Sequence, residues 1–468
     1  MTTTSWASGV SGAFNDPTKW TAGVPAAGDT ALITATGTYT VISPQFNQVG
    51  TLEMAKDATL TINNASSLKV TSGTGSGALA GTINVDGADL DFGTDATPTT
   101  FNNTGAIDLQ TAPLGGGVLQ IAGTVTLAGK GKINLSGGAS ILSDGNPATL
   151  TNGSTSSGNT ISGAGTIGDA NLSFVNAAKG IIDADAAGNI FIDAKQFTNS
   201  GLIEAGNSGS LIFYKSITQA STGKVVAGVG TIMNVDANIV GGSITVDKTA
   251  QLLSDGGALE SQTKPIANAG EIGNSGAIFI ITSAIKNTST GMLTAIDGLV
   301  DISGRVTKGT ALIEGAAELE FEAPSSANVG WVSNGGVLFL LDPTQFTGTV
   351  ETLPSGDAID LGNIAFAHAK IVSYTKGVLT VTDTSSGVTD KIKIAGGGTF
   401  TPSAGINGST EITDPPANPA SVPHTNTNLL AQSMASFGAS SGIAGSGTGN
   451  LAQNHSSSDF LAANSHHG

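Results

Sequence analysis

The feature that most constrains this chain is a recurring string: an apolar residue, asparagine, a small residue, glycine, then an alternating apolar pair. It is clearest at Phe197-Thr-Asn199-Ser-Gly201-Leu-Ile203. Related copies are Phe101-Asn-Asn-Thr-Gly105, Phe174-Val-Asn176-Ala-Ala-Lys-Gly180, Ser221-Thr-Gly223, Ile266-Ala-Asn268-Ala-Gly270 and Ile285-Lys-Asn287-Thr-Ser-Thr-Gly291. The steps from Gly180 to Gly201, Gly201 to Gly223 and Gly270 to Gly291 are nearly equal. Between copies runs a second strand-like stretch, as in Asn189-Ile-Phe-Ile192, Ser210-Leu-Ile-Phe213 and Ala277-Ile-Phe-Ile280. A period of about 20 residues with two or three short strands per unit means a solenoid. Leucine-rich repeats share that period, but the leucine ladder they need is missing. The pattern predicts a parallel β-helix of about 21 residues per coil. Strands pair with the coils above and below, and inward Ile, Val, Leu and Phe stack into a narrow core. Glycine and asparagine are expected at corners, where positive φ is needed.

Composition agrees. Glycine supplies 66 of 468 residues, and charged residues only 11%, against roughly 25% in an average globular chain. Leu, Glu, Lys and Arg are too sparse for amphipathic helices. Short period-two runs such as Thr59-Leu-Thr-Ile62, Gly242-Ser-Ile-Thr-Val246 and Val378-Leu-Thr-Val381 lie between Gly/Asn/Ser/Asp clusters, the pattern of short strands joined by tight turns. The fold class is therefore all-β.

Residues 1–45 read as an N-terminal cap, because they hold Trp6 and Trp20 in turn-rich sequence and the open end of a solenoid must be covered. Residues 46–335 read as the parallel β-helix. The spacing changes in 336–413, which suggests closing coils and a C-terminal β module. Residues 414–468 lose periodicity and become rich in Ala, Ser, Asn and Gly, and are expected to be a disordered tail.

The string Asn15-Asp16-Pro17-Thr-Lys-Trp20-Thr-Ala-Gly23-Val-Pro25-Ala-Ala-Gly28-Asp29, with Tyr39-Thr-Val41 after it, resembles the opening of large secreted or surface β-helix proteins of alphaproteobacteria. The Asn-x-Gly coils are similar to the repeats of the same adhesin-like and autotransporter-passenger-like proteins. Phe346-Thr-Gly-Thr-Val350, Gly356-Asp-Ala-Ile-Asp-Leu361 and Gly377-Val-Leu-Thr-Val381 resemble their C-terminal module. The resemblance spans most of residues 5–413. It implies a right-handed parallel β-helix outside the cell and carries over no catalytic residue. No amphipathic ten-residue barrel strands follow the module, and calcium-binding Gly-Gly-x-Gly-x-Asp repeats are missing.

Charge removes several functions. The net charge is −17 and Arg305 is the one arginine. Neutralising phosphates takes clusters of Lys and Arg, so no nucleic-acid partner is expected and anionic membrane surfaces are disfavoured. There is no cysteine, hence no disulfide, thiolate zinc site or thiol nucleophile. No apolar run approaches the length of a membrane-spanning helix. The opening Met1-Thr-Thr-Thr-Ser-Trp6 lacks the basic region and apolar core of a secretory signal. Export by a one-step type I route is the expectation, with the signal in the tail around Ser458-Asp-Phe-Leu461.

Candidate chemistry is sparse. Asp183, Asp185 and Asp193 form the densest acidic patch, and coil geometry should bring Asp183 near Glu204 in the next coil. They read first as solvated outer-face charges spaced by turns, and as the alternative they would serve a polysaccharide lyase or hydrolase. Asp357 and Asp360 read first as a turn terminator and a water-facing residue, with calcium ligation as the alternative. Arg305 beside Asp301 reads as a surface ion pair. Gly163-Ala-Gly-Thr-Ile-Gly168 matches the dinucleotide fingerprint, but no helix should follow it. His368 stands alone within the expected fold, and His424, His455, His466 and His467 lie in the tail. The threonines of 34–40 and 59–61 are not expected to recur at the coil period, which argues against an ice-binding array. The expectation is a non-enzymatic extracellular structural or adhesive protein without a cofactor, calcium aside. Its partners would be a glycan, a surface or other copies of itself.

Overall fold

The structure, a computed structural model, describes residues 1–414 except 64, 114, 262 and 263. Contacts divide the chain into Met1–Pro423 and His424–Gly468, and every described residue belongs to the first unit. The tail assigned to 414–468, its histidines and its export signal thus lie outside the described residues, Asp414 excepted. The fold is all-β, 57% strand and 3% helix, and forms a parallel β-solenoid of about 15 turns with about 22 residues each.

Each turn has three sides. In one coil, Gln196–Asn199 lies on side one, Leu202–Ala205 on side two and Gly209–Phe213 on side three. The next coil returns to side one at 217–219, and Ile217–Ala227 carries the strand through to side two at 224–227. Residues alternate in and out because successive side chains leave a strand on opposite faces. Along 209–213, Leu211 and Phe213 are buried while Ser210 and Ile212 face outward. Parallel register then stacks like on like. Ile182, Ile203, Val225 and Ile244 form one core column on side two. Phe174 stacks on Phe197 with ring centroids 5.0 Å apart on side one, and Ile217, Ile239 and Leu259 continue that column.

Stacking begins within the first 45 residues. Thr3–Ser5 pairs with Thr30–Ile33, and Tyr39–Ser43 pairs with Ala58–Ile62. Trp6, Phe14, Trp20 and Tyr39 fill the first coils, with Trp6 and Phe14 each 5.1 Å from Trp20. The indoles donate to backbone carbonyls of Val10 and Phe14, so their polar edges are satisfied while buried. Parallel stacking runs on to Ala358–Leu361. There the polarity changes. Thr410–Thr413 adds antiparallel to 358–361, and Ala369–Thr375, Val378–Asp383 and Thr389–Ile394 form an antiparallel meander whose last strand pairs parallel with Thr349–Val350 of the coil before it.

Two details of the repeat differ from the sequence expectation. Gly105, Gly201, Gly223, Gly270 and Gly291 lie outside the left-handed region, and none of the motif asparagines has positive φ. The motif glycines are there for close approach. A Cβ on Gly201 would collide with the carbonyl oxygens of Ala177 and Gly180 in the coil below. The asparagines serve as hydrogen-bonded ladders. Asn152 donates to Asn176, Asn176 to Asn199 and Asn199 to Gln219 at 3.0–3.1 Å, and the Asn176 and Asn199 amides also reach the carbonyls of Leu202 and Lys224. Second, the motif changes corner. Asn199 ends a side-one strand, whereas Asn268 ends a side-two strand and starts a separate ladder to Asn287 at 2.9 Å.

These contacts give a stability prediction. Asn176→Ala should cost about 2–3 kcal/mol in chemical denaturation, because it strands a buried amide and a carbonyl. Gly201→Ala should cost about 1–3 kcal/mol through overpacking. Thr198→Ala, outward and exposed, should stay within about 0.5 kcal/mol.

Candidate functional site

The coil register places Asp183 directly against Glu204 on side two, as its sequence position suggested. Both project outward, because Ile182 and Ile203 occupy the inward positions. Their row continues down the solenoid through Ser162, Asn134 and Asp108. Parallel strands are about 4.8 Å apart, so two ionised carboxylates in register repel one another. Burial, then Glu204 and Asp185, pushes the Asp183 carboxyl up to about 6. Burial also raises Glu204. One Asp183 oxygen is buried without a partner.

Asp185 lies in the exposed turn just after this row. Asp193 does not join it. It follows the side-three strand Gly188–Ile192 and pairs with Lys215 at 3.7 Å, both side chains about half exposed, a geometry that contributes little stability. The four carboxylates therefore divide between two sides of the solenoid. Near Lys215, Tyr214 is exposed and its ring stacks on Phe191 at 5.8 Å and 6°.

Asp357 and Asp360 are both buried, which corrects the expectation that Asp360 faces water. Asp357 accepts from the backbone N–H groups of Gly335 and Gly336 at 2.7 and 2.8 Å and so closes a turn of the preceding coil. Asp360 is covered because the closing strand pairs with its own, and it accepts from the Ile406 N–H at 3.1 Å. Among the described residues, no group of three His, Cys, Asp or Glu could hold a metal ion.

The surface pair of Asp301 and Arg305 does not form either. The ion pair between Lys215 and Asp193 stands alone among the described residues. Asp301 instead faces Glu320 in register on side one. Sequence reading missed this cluster. Burial and Glu322 hold Asp301 up at about 7, and burial with Asp301, Glu318, Glu322 and Asp360 raises Glu320 to about 8. It also missed Asp91 on side three, which burial and Asp89 push to about 6. The signal lay in strand alternation, since Asp301 and Glu320 each sit just before the last inward residue of their strands, Ile302 and Phe321. Finding it needs the register.

Gly163 and Gly165 lie within the strand Thr160–Ile167, and no helix follows, so the dinucleotide match has no structural context. Thr40, Thr59 and Thr82 do stack in register over three coils, a recurrence the sequence reading did not expect, before Ala106 ends the column. Comparison with known proteins adds no assignment: no family model, curated protein or solved structure matches the chain.

The Asp183 environment has a definite pH sign. Its folded-state pKa lies above the unfolded value of about 3.9, so its contribution to stability is full below that value and is lost as pH rises through about 6. Asp183→Asn should raise the unfolding free energy measured in urea at pH 7.5 by about 1 kcal/mol relative to wild type, after allowance for solvent screening. At pH 4 the two proteins should unfold together.

Proposed function

We propose that this chain is a non-enzymatic extracellular structural or adhesive protein that presents its solenoid surface to a glycan, a surface or other copies of itself. The observation that carries this reading is continuity. One parallel stack takes up nearly all the described residues and repeats its outward positions for about 15 turns, or about 70 Å. A repeating surface of that length suits an extended or multivalent ligand. Its outward rows offer hydroxyls, amides and carboxylates, as in Asp108–Asn134–Ser162–Asp183–Glu204. The resemblance of the opening string and the Asn-x-Gly coils to surface β-helix proteins of alphaproteobacteria supports the same reading. No described helix is long and apolar enough to cross a membrane.

A second reading rests on the Asp183–Glu204 pair. Two carboxylates in register on adjacent strands, one of them with its pKa raised toward neutrality, are the residue types that a glycosidase uses as its acid and its second carboxylate. Asp193 pairs with Lys215 on side three and does not join the pair, so the adhesive reading takes precedence.

Fractionation of the native organism tests location. The intact chain should be found in culture supernatant or on washed cells, and deletion of residues 415–468 should trap it inside. A chain that stays cytoplasmic in both forms would end the extracellular reading. Purified protein should cosediment with insoluble polysaccharide without releasing reducing ends. Release that Asp183→Asn abolishes would replace adhesion with catalysis.

A further inference from the structure

Side one of the last parallel coils brings carboxylates together between apolar neighbours. Asp301, on Leu299–Ile302, faces Glu320, on Glu318–Phe321, in direct register. Their outward column reads Ile280, Asp301, Glu320, Phe339 and Asp360 in successive coils. The acidic pair is thus clamped between an isoleucine and a phenylalanine. Asp301 is only 8% exposed, and its Oδ1 is buried with no hydrogen-bond partner.

Every titratable group facing the pair among the described residues has the same sign. The preceding coil supplies Ile278 and Ile280, which carry no charge. The Glu320 strand and its end supply Glu318 and Glu322, and beyond Phe339 lies Asp360. Arg305, four residues past Asp301, makes no ion pair among the described residues. Two adjacent carboxylates in such surroundings cannot both stay ionised cheaply, since each raises the cost of charging the other. Among the described residues, no third ligand converges to make a metal site.

We propose that Asp301 and Glu320 form a proton-binding pair that couples the packing of coils 299–321 to ambient acidity. With one shared proton, the carboxyl of one residue donates to the carboxylate of the other and ties adjacent coils together. When that proton leaves, two negative charges face each other across neighbouring strands and the coils loosen locally. The direction follows from linkage. Both groups bind protons more tightly folded than unfolded, so the stabilisation is complete below about pH 4 and is lost as pH rises through 7 to 8. Local loosening is physically allowed because a solenoid coil is held only by its nearest neighbours. The pair is independent of the adhesive reading and would act the same in an enzyme.

Hydrogen exchange on the full chain tests the proposal. After correction for intrinsic rates, the amides of 299–302 and 318–321 should open at least tenfold more readily at pH 9 than at pH 6, each pK unit of tighter proton binding in the fold being a factor of ten. Glu320→Gln and Asp301→Asn should each reduce that difference and the double variant should abolish it, while Asp91→Asn should leave it intact. An unchanged difference in both variants would overturn the proposal. So would calcium-dependent protection at pH 8 that chelation removes, because the pair would then be a metal site. Should the variants fail to fold, carboxyl carbon NMR of the wild type decides. A Glu320 midpoint above about 6 is expected, and one near about 4.3 overturns the pair.

Discussion

The close seat of each coil on the one below governs this molecule. Parallel strands must approach to about 4.8 Å along three sides at once, and the corners decide whether they can. A side chain at Gly201 would strike two carbonyl oxygens of the preceding coil. An unpaired polar group at such a corner would also be buried with nothing to bind. The asparagine ladders meet that demand, since each amide bonds both the next amide and a carbonyl of the next coil. Glycine permits the approach and asparagine satisfies the groups the approach buries.

Outward chemistry follows from the same stacking. Register turns residues a full coil apart into neighbours, so any row repeating one charge concentrates it. On side two this sets Asp183 against Glu204, and on side one Asp301 against Glu320. With 35 acidic and 18 basic residues, the chain has few cations to interleave. Burial then turns proximity into raised carboxyl pKa values, more strongly on side one, where Ile280 and Phe339 exclude water from both flanks. Where donors are provided, the outcome reverses. Asp383, bonded by Ser385 and the Ser386 N–H, is lowered to about 2.

The ends use different devices. At the start, Trp6, Phe14, Trp20 and Tyr39 occupy the interior, where their bulk can cover a core only a few side chains wide. At the finish the chain changes from parallel to antiparallel pairing at 358–361. Asp357 and Asp360, which look like ligands in sequence, are used there to bind backbone N–H groups of a turn and a closing loop.

By itself, the sequence determined the all-β class, the solenoid and a period close to that observed, because alternation and the glycine–asparagine corners are local patterns. It also marked Asp183 and Glu204 as neighbours, since their separation along the chain matches one regular coil. Only the tertiary structure decided which side each strand occupies. The motif at Asn199 and the motif at Asn268 read alike yet turn different corners, because a strand can run through one corner, as Asn238–Val246 does, and shift the repeat. The Asp301–Glu320 pair depends on a coil shorter than the one that joins Asp183 to Glu204, a length that only the contacts of neighbouring coils set. Local pattern specifies that a strand forms and which way its side chains alternate. What each outward side chain meets is fixed by register with the next coil, whose sequence lies a full turn of the solenoid away.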